Sequence, residues 1–500
     1  MTDLLWTLIA CQVAMGAFDT LYHHELTERL PWRRAQADEL RLHGVRNLIY
    51  AVLFVGFGLT QPQGLFAAAI LVLLVAELLI TLWDFVEEDR TRALPPSERV
   101  THTLLALNYG AILTLLVPVL LTWAQAPSAL PRADHGLWGA FMALSGAGVA
   151  VFGLRDLAAS ARLRRIAPRP AAPLFAGPRG AYLVTGGTGF VGTRLVEAMA
   201  AAGHRVTVLS RRANAPVPPG VRLVTGLDQV PDDEVLDAVV SLAGEPIAAP
   251  WTRARRWRIV ASRVRTARAL GRLLARLETP PPLVIGASAV GAYGLRGDRP
   301  VTEAEPIRRD GSFSQRSCEA TERAYERLRT ERTRVVHLRI GLVLGTEGGL
   351  LARLLLPFEF GLGGPVGTGR QWMSWIGRDD LVRLIAHVVR TESLDGPVNA
   401  VAPGPVRAEA FARTLAGALH RPCLLRLPRL AVLALGGMGR ELLLSGQCVL
   451  PAKALGSGFV YGDPALAPLL RRIAGTAGPM EAEVPTVALA APARPRLVAA

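Results

Sequence analysis

An apolar run that ends in clustered glycines constrains this chain more than any other feature: AYLVTGGTGFVGTRLVEAMAAAGHRVTVLSRR, residues 181–212. Ala181–Thr185 reads as a short strand. Gly187, Gly189 and Gly192 make G-x-G-x-x-G, and Gly186, Gly189 and Gly192 make G-x-x-G-x-x-G. Leu195, Val196 and Met199 then follow at helical spacing, Gly203 stops the helix, and Arg205–Leu209 reads as a second strand. Glycines let backbone approach a pyrophosphate, and a helix start offers it free N–H groups and the positive end of the dipole. The expected contacts are Gly186, Gly187, Thr188, Gly189, Phe190, Val191 and Gly192. The second strand ends in Ser210-Arg211-Arg212, where an acidic residue would hold the ribose hydroxyls of NAD. Guanidinium groups there suit a 2′-phosphate, so the expected cofactor is NADP(H).

More β-α units follow. Val221–Thr225, Asp237–Leu242, Leu283–Ala287 and Arg334–Arg339 read as strands, and Arg253–Leu277 as a long basic helix. Leu242, Ala243 and Gly244 end a strand with small residues, which suits close approach to the cofactor. The alternation predicts an α/β Rossmann domain with a doubly wound parallel sheet.

The first 155 residues are different. Half of the chain is hydrophobic and only 19% is charged, and the apolar excess gathers in stretches near 3–18, 45–61, 65–85, 103–124 and 136–155. Each has about the length of a membrane span, which predicts an all-α transmembrane bundle. Arginines crowd loops 19–44 and 86–102 and the segment after 155, while alternate loops are nearly bare. The positive-inside rule then puts the N-terminus outside and the Rossmann domain in the cytoplasm, where the cofactor is found. The net charge of +15 resides in such edges and in solvated helix faces. No basic stretch is interleaved with aromatics, so nucleic acid is not an expected partner; membrane lipid is. Asp19, His23, His24, His43, Glu77, Asp84, Glu88, His102 and Asn108 lie on or near the apolar helices. Solvation at helix ends, with pairing of the deeper Glu77 and Asn108, is the favoured reading. A metal site is the alternative, and no metal is assigned. Cys11, Cys318, Cys423 and Cys448 lack metal-ligand spacing and read as reduced thiols.

GGTGFVG, SLAGEPI (241–247), W-x(11)-R-x-x-T ending at Thr266, SAVGAYG (288–294), LRIGLVLG (338–345), GLGGPVGTGRQWMSWI (361–376) and LLLSGQCVLPAKALGSGF (442–459) occur in this order. With them the chain resembles the atypical, epimerase-like short-chain dehydrogenase/reductase family across about 180–475. The resemblance implies a Rossmann domain over 180–420 and a small C-terminal substrate-side domain over 421–475. Residues 1–156 fall outside its common form as a membrane domain, 157–179 read as a basic Pro/Ala-rich linker, and 476–500 as a disordered tail. The superfamily uses a Ser, a Tyr acid/base and a Lys four residues later that lowers the Tyr pKa. Ser288 matches the serine, both as a cofactor-side and as a catalytic residue. Ser317 and Thr321 stand where the Tyr and Lys belong, Tyr325 falls later in its helix with Arg329 four residues on, and Lys453, the chain's single lysine, has Val449 four residues before it. Tyr293, Cys318 and Glu245 remain as substitutes, with Tyr293 preferred. Trp372 and Trp375 either stack on a flat substrate or serve the core; Asp379 and Asp380 open a helix. The implied activity is NADP(H)-dependent oxidation or reduction of a small carbonyl or alcohol. A cofactor-binding sensor and epimerase-like chemistry are the alternatives. Nothing in the sequence sets an oligomeric state.

Overall fold

The computed structural model describes residues 2–167, 169–307 and 309–477. Almost all of the tail expected to be disordered therefore lies outside the described residues; at its start Thr476 bonds to the carbonyls of Arg471 and Ala418. The chain divides into two compact units after Ala167.

In the first unit lie α1 (Asp3–Phe18), α2 (Ala37–Leu59), α3 (Leu65–Thr91), α4 (Pro96–Ala124) and α5 (Leu137–Arg165). All five helical segments are long and apolar enough to cross a membrane. Small residues bring α2 against α5. Gly44, Ala51 and Gly58 on one helix face Gly153, Gly146 and Gly139 on the other; a Cβ on Gly153 would stand 2.9 Å from the Gly44 carbonyl oxygen, and one on Gly139 2.8 Å from that of Gly58. Seven-residue spacing of small residues allows this close backbone approach along the whole contact. The apolar end is packed by Trp6, Phe57, Leu116 and Met142.

The opposite end corrects the solvated reading of the polar groups. Asp19, His23, His43, Asp84 and Glu88 are each at most 4% exposed. Their helices outrun the apolar stretches: α3 continues to Thr91, α4 begins at Pro96, and α1 runs on as a π-helix, Asp19–Glu28. The polar ends therefore pack on one another. Arg92 bonds Glu39, Glu88 and Glu98, and Arg155 bonds Glu25. Two arginines that set the charge bias thus hold the bundle together. Glu77 pairs with Tyr50 and Thr81, and Asn108 with Leu8 and Gln12, as read from the sequence. The expected linker is helical up to Arg165, and Arg162 stacks at 4.0 Å on Trp32.

The second unit holds β1 (Ala181–Thr185), β2 (Arg205–Leu209), β3 (Arg222–Val224), β4 (Ala238–Ser241), β5 (Leu283–Ala289), β6 (Arg334–Ile340) and β7 (Gly396–Ala400). They form one parallel sheet in the order β3-β2-β1-β4-β5-β6-β7. This is the expected doubly wound arrangement, with its direction reversing between β1 and β4. Six strands lie within a residue or two of their expected limits; β7 was not foreseen. One face is covered by α6 (Phe190–Ala201) and the helix Arg378–Arg390, with Leu174 and Phe175 completing that core. The other is covered by α7 (Arg253–Arg276) and α8 (Phe313–Glu326), through Leu270, Leu273 and Tyr325.

The C-terminal segment is packed into this unit. Asp380 accepts the N–H groups of Gly462 and Asp463 at 2.8 and 2.7 Å, and Tyr461 donates to the Val401 carbonyl. Hydrogen bonds to a buried carboxylate contribute about 1.5–3 kcal/mol each. Asp380→Ala is expected to lower the thermal midpoint of the full-length protein by several degrees; an unchanged midpoint would contradict this tie.

Candidate cofactor and active site

The turn after β1 is closed by contact with itself and with the end of β4. Gly186 has φ +74°, and a Cβ on it would stand 2.7 Å from the Ala243 nitrogen; a Cβ on Gly192 would stand 2.1 Å from the Gly186 oxygen. No L side chain fits either position. Gly189 caps α6 without a side-chain acceptor, leaving first-turn N–H groups of a 12-residue helix for an outside anion. Thr188 is half-buried and Val191 packs on the core. Phe190 has a second duty: its ring lies under Gly345, Gly348 and Gly349, and Arg378 stacks on it at 5.0 Å. Beneath the turn, Thr185 Oγ1 lies 2.8 Å from Ser241 Oγ, itself 2.6 Å from the Tyr325 hydroxyl. Leu242 donates to the Thr185 carbonyl, and Arg263 crowds Gly244 while donating to the Glu245 carbonyl.

After β2, Ser210 is bonded through its N–H to Val224 and accepts the Arg212 N–H at its hydroxyl. This fixes a turn whose two guanidinium groups, Arg211 and Arg212, are both exposed. A glycine turn too close for side chains, an uncapped helix start and two exposed cations at the end of β2 fit a dinucleotide with a 2′-phosphate.

Ser288, the penultimate residue of β5, donates to Glu322 Oε1 at 2.7 Å. Glu322 on α8 is held by Arg339 of β6 through two bonds, 2.9 and 2.8 Å. Both members of this pair are buried. Neither was singled out from sequence, since they are distant in the chain and share no motif. Tyr293 departs from its expected role. It is fully buried and donates to Asn399 Oδ1 at 2.7 Å, with Arg339 over its ring at 4.7 Å. Burial pushes its phenol above the usual pKa of 10, so it is poorly placed as a proton donor to the cleft. Its partner stands on β7, the unforeseen strand.

The other candidates are also engaged. Burial pushes Tyr325 up to about 12 and Cys318 up to about 11. Tyr325 lies against Gly286 on the far side of the sheet core, and Thr321 donates to the Ser317 carbonyl. Glu245 is 3.4 Å from Arg255. Lys453 Nζ donates to the Asp395 carbonyl. Trp375 is fully buried and donates to the Gly404 carbonyl, so it belongs to the core; Trp372 donates to Asp298 and carries Arg407 on its ring at 3.9 Å. Asp379 binds Arg194. What the structure brings together around Ser288 is therefore Glu322 and Arg339. Removing one member of a buried ion pair costs about 3–5 kcal/mol, against about 1 kcal/mol for one neutral hydrogen bond. Glu322→Gln should thus depress the thermal midpoint well beyond Ser288→Ala; equal midpoints would show that the pair does not support Ser288.

The model of the NAD dependent epimerase/dehydratase family matches residues 182–400, and that of a domain of unknown function, DUF1731, matches 427–473. The chain is 38% identical over 298 residues to the epimerase family protein SDR39U1 of Bos taurus, covering 58% of this chain and 98% of that one. It is 36% identical over 286 residues to the epimerase family protein YfhF of Bacillus subtilis, covering 56% and 94%. The human SDR39U1 structure (isoform 2), solved with NADPH, superposes with a TM-score of 0.54 at 35% identity, covering 59% of this chain and 99% of that one. Through its second unit the chain belongs to the SDR39U1-type epimerase family, with an NAD(P)-binding domain followed by DUF1731.

Proposed function

We propose that this family member is an NADP(H)-dependent oxidoreductase, anchored by its N-terminal helices in the cell membrane with the second unit in the cytoplasm, acting on a small carbonyl or alcohol. The cofactor is NADP(H), as in the human relative crystallised with NADPH. The observation that carries the reading is the pairing of a turn that admits no side chain at Gly186 or Gly192 with exposed Arg211 and Arg212. When bound, the cofactor supplies or accepts hydride. Gly186, Gly187, Gly189 and Gly192 admit the pyrophosphate to the backbone, the first-turn N–H groups of α6 bind it, and Arg211 and Arg212 grip the 2′-phosphate. Ala243 and Gly244 leave room beside it.

Ser288 orients the substrate oxygen. Because its own proton is committed to Glu322, its lone pairs face a substrate hydroxyl, and the Glu322–Arg339 pair keeps it in that rotamer. The membrane reading rests on five apolar helices and the arginine-biased loops. It favours a lipophilic substrate, concentrated where the enzyme is held, with the exposed Arg164 and Arg165 against anionic headgroups. A non-catalytic NADP(H) sensor is the second reading, favoured by one observation: Tyr293, Tyr325 and Lys453 all have their polar atoms bonded within the fold.

Four-position deuterated NADPH, incubated with the full-length protein and cell extract, separates the two. The oxidoreductase transfers deuterium to a product, and Ser288→Ala abolishes the transfer while NADPH still binds. Retention of all label on a tightly bound cofactor would leave the sensor. Arg211→Ala/Arg212→Ala should lower the NADPH-to-NADH affinity ratio by about 10- to 100-fold, the scale of one or two charge-assisted contacts; an unchanged ratio would contradict the 2′-phosphate assignment. A reporter fused to the C-terminus should be active only if of the cytoplasmic kind.

A further inference from the structure

The buried polar end of the first unit holds an unusual set of side chains. Asp19 and His24 come from the π-helix that follows α1, Glu98 and His102 from the start of α4. One donor atom from each of the four lies within 4.8 Å of all the others. His24 Nε2 stands 3.3 Å from Asp19 Oδ2 and 3.7 Å from Glu98 Oε1; His102 Nε2 stands 3.2 Å from Asp19 Oδ2. For bonds of about 2.1 Å, neighbouring ligands are roughly 3.0 Å apart in an octahedron and roughly 3.4 Å in a tetrahedron. The two spacings to Asp19, 3.3 and 3.2 Å, lie between those edges, and the 3.7 Å spacing lies just above them.

Hydrogen bonding accounts for part of this arrangement and fails for the rest. His23 satisfies Asp19 Oδ1 at 2.8 Å, and His102 lies within hydrogen-bond reach of Asp19. His24 Nε2 has no hydrogen-bond partner among the described residues, although two carboxylates stand beside it, and neither has Glu88 Oε2, 3.4 Å from His102 Nδ1. His24 is 6% exposed and Glu88 1%. A nitrogen crowded by oxygens that do not accept from it is a donor aimed at a shared point. Unsatisfied buried polar atoms are costly and need an explanation.

Charge gives the same answer. Glu39, Glu88 and Glu98 share one guanidinium, Arg92, and the described ion pairs of Asp19 are all with histidines. With the imidazoles neutral, the form that ligates a metal, Asp19, Glu39, Glu88 and Glu98 have only Arg92 among them as a cation, and buried carboxylates in that excess need another. The backbone is shaped for the purpose as well. On an α-helix, residues five apart are turned about 140° from each other. The π-turn, with its i→i+5 bonding, places Asp19 and His24 side by side, and such turns are frequent at functional sites.

We propose that Asp19, His24, Glu98 and His102 bind one divalent first-row transition metal, with Glu88 beside it. Imidazole and carboxylate donors without thiolate select manganese, iron or zinc over copper(I). A second group, His24, His43 and Glu88, shares His24, so only one ion is assigned. The site also has an open side. Asp19 and His102 both line a cavity of about 310 Å³ whose other walls include Val13, Ala17, Phe85 and Leu105. An open position toward a largely apolar chamber is what distinguishes a reactive ion from a structural one, and the chamber suits a small lipophilic ligand with an oxygen donor. This inference does not depend on NADP(H) binding by the second unit.

Elemental analysis of the full-length protein, purified in detergent without chelator, tests it. About one equivalent of manganese, iron or zinc per chain is expected. His24→Ala and His102→Ala should each reduce it at least tenfold, while His135→Ala, whose ring packs on Trp6 among the apolar core, retains it. Unchanged NADPH affinity and monodisperse elution would show that the variants fold. If they do not fold, the native protein decides alone: after chelation, titration with Co2+ should give visible d–d absorption saturating at one equivalent. Less than a tenth of an equivalent of metal, both as purified and after exposure to Mn2+, Fe2+, Zn2+ or Co2+, would overturn the proposal. So would metal content indifferent to the His24 and His102 substitutions.

Discussion

Between β1 and α6 the backbone passes so close to itself that a single methyl group at Gly192 would lie 2.1 Å from the Gly186 oxygen. Much of the second unit is organised around that approach. It lets α6 start directly at the end of β1, so that its uncapped N–H groups face the crevice where the sheet order reverses. It also brings Ala243 against the turn, which fixes where β4 must end. The Thr185–Ser241–Tyr325 chain of polar contacts beneath the turn then joins β1 to β4 and α8. Tyr325, which falls later in α8 than the superfamily's catalytic tyrosine, is consumed in supporting the floor.

The first unit is governed by a different constraint. Its helices are longer than their apolar stretches, and the surplus is charged. Exposed, these ends would be ordinary solvated termini. Packed together, they form a layer in which acids, histidines and arginines satisfy one another incompletely, Arg92 serving three glutamates at once. The close α2–α5 contact through glycine and alanine gives this layer a rigid frame. Arginines in such a layer are not free loop charges: Arg92 and Arg155, counted in the loop bias, pair with buried carboxylates.

Local signals were read well and cross-chain partnerships were not. Strand β1, the glycine turn, β2 and the Arg211–Arg212 pair all declare themselves within 32 consecutive residues, because each depends on local backbone geometry or on one charge. Strand β7 was missed because GPVNA opens with glycine and proline and lacks a β-branched run. That omission hid Asn399, and with it the reason Tyr293 points into the core. Glu322 and Arg339 went unnoticed for a similar cause: their pairing exists only once β5, β6 and α8 are assembled. The buried acids of the bundle were read as helix-end groups because hydropathy ends where the apolar stretch ends, while a helix continues for as long as its neighbours pack against it.

Hydrogen exchange of the full-length protein with and without cofactor tests the central claim most directly. NADPH should protect backbone amides at 186–192 and at 210–212, and NADH should protect the first segment while leaving the second nearly unchanged. Equal protection of the second segment by both cofactors, or protection of neither segment, would contradict the account.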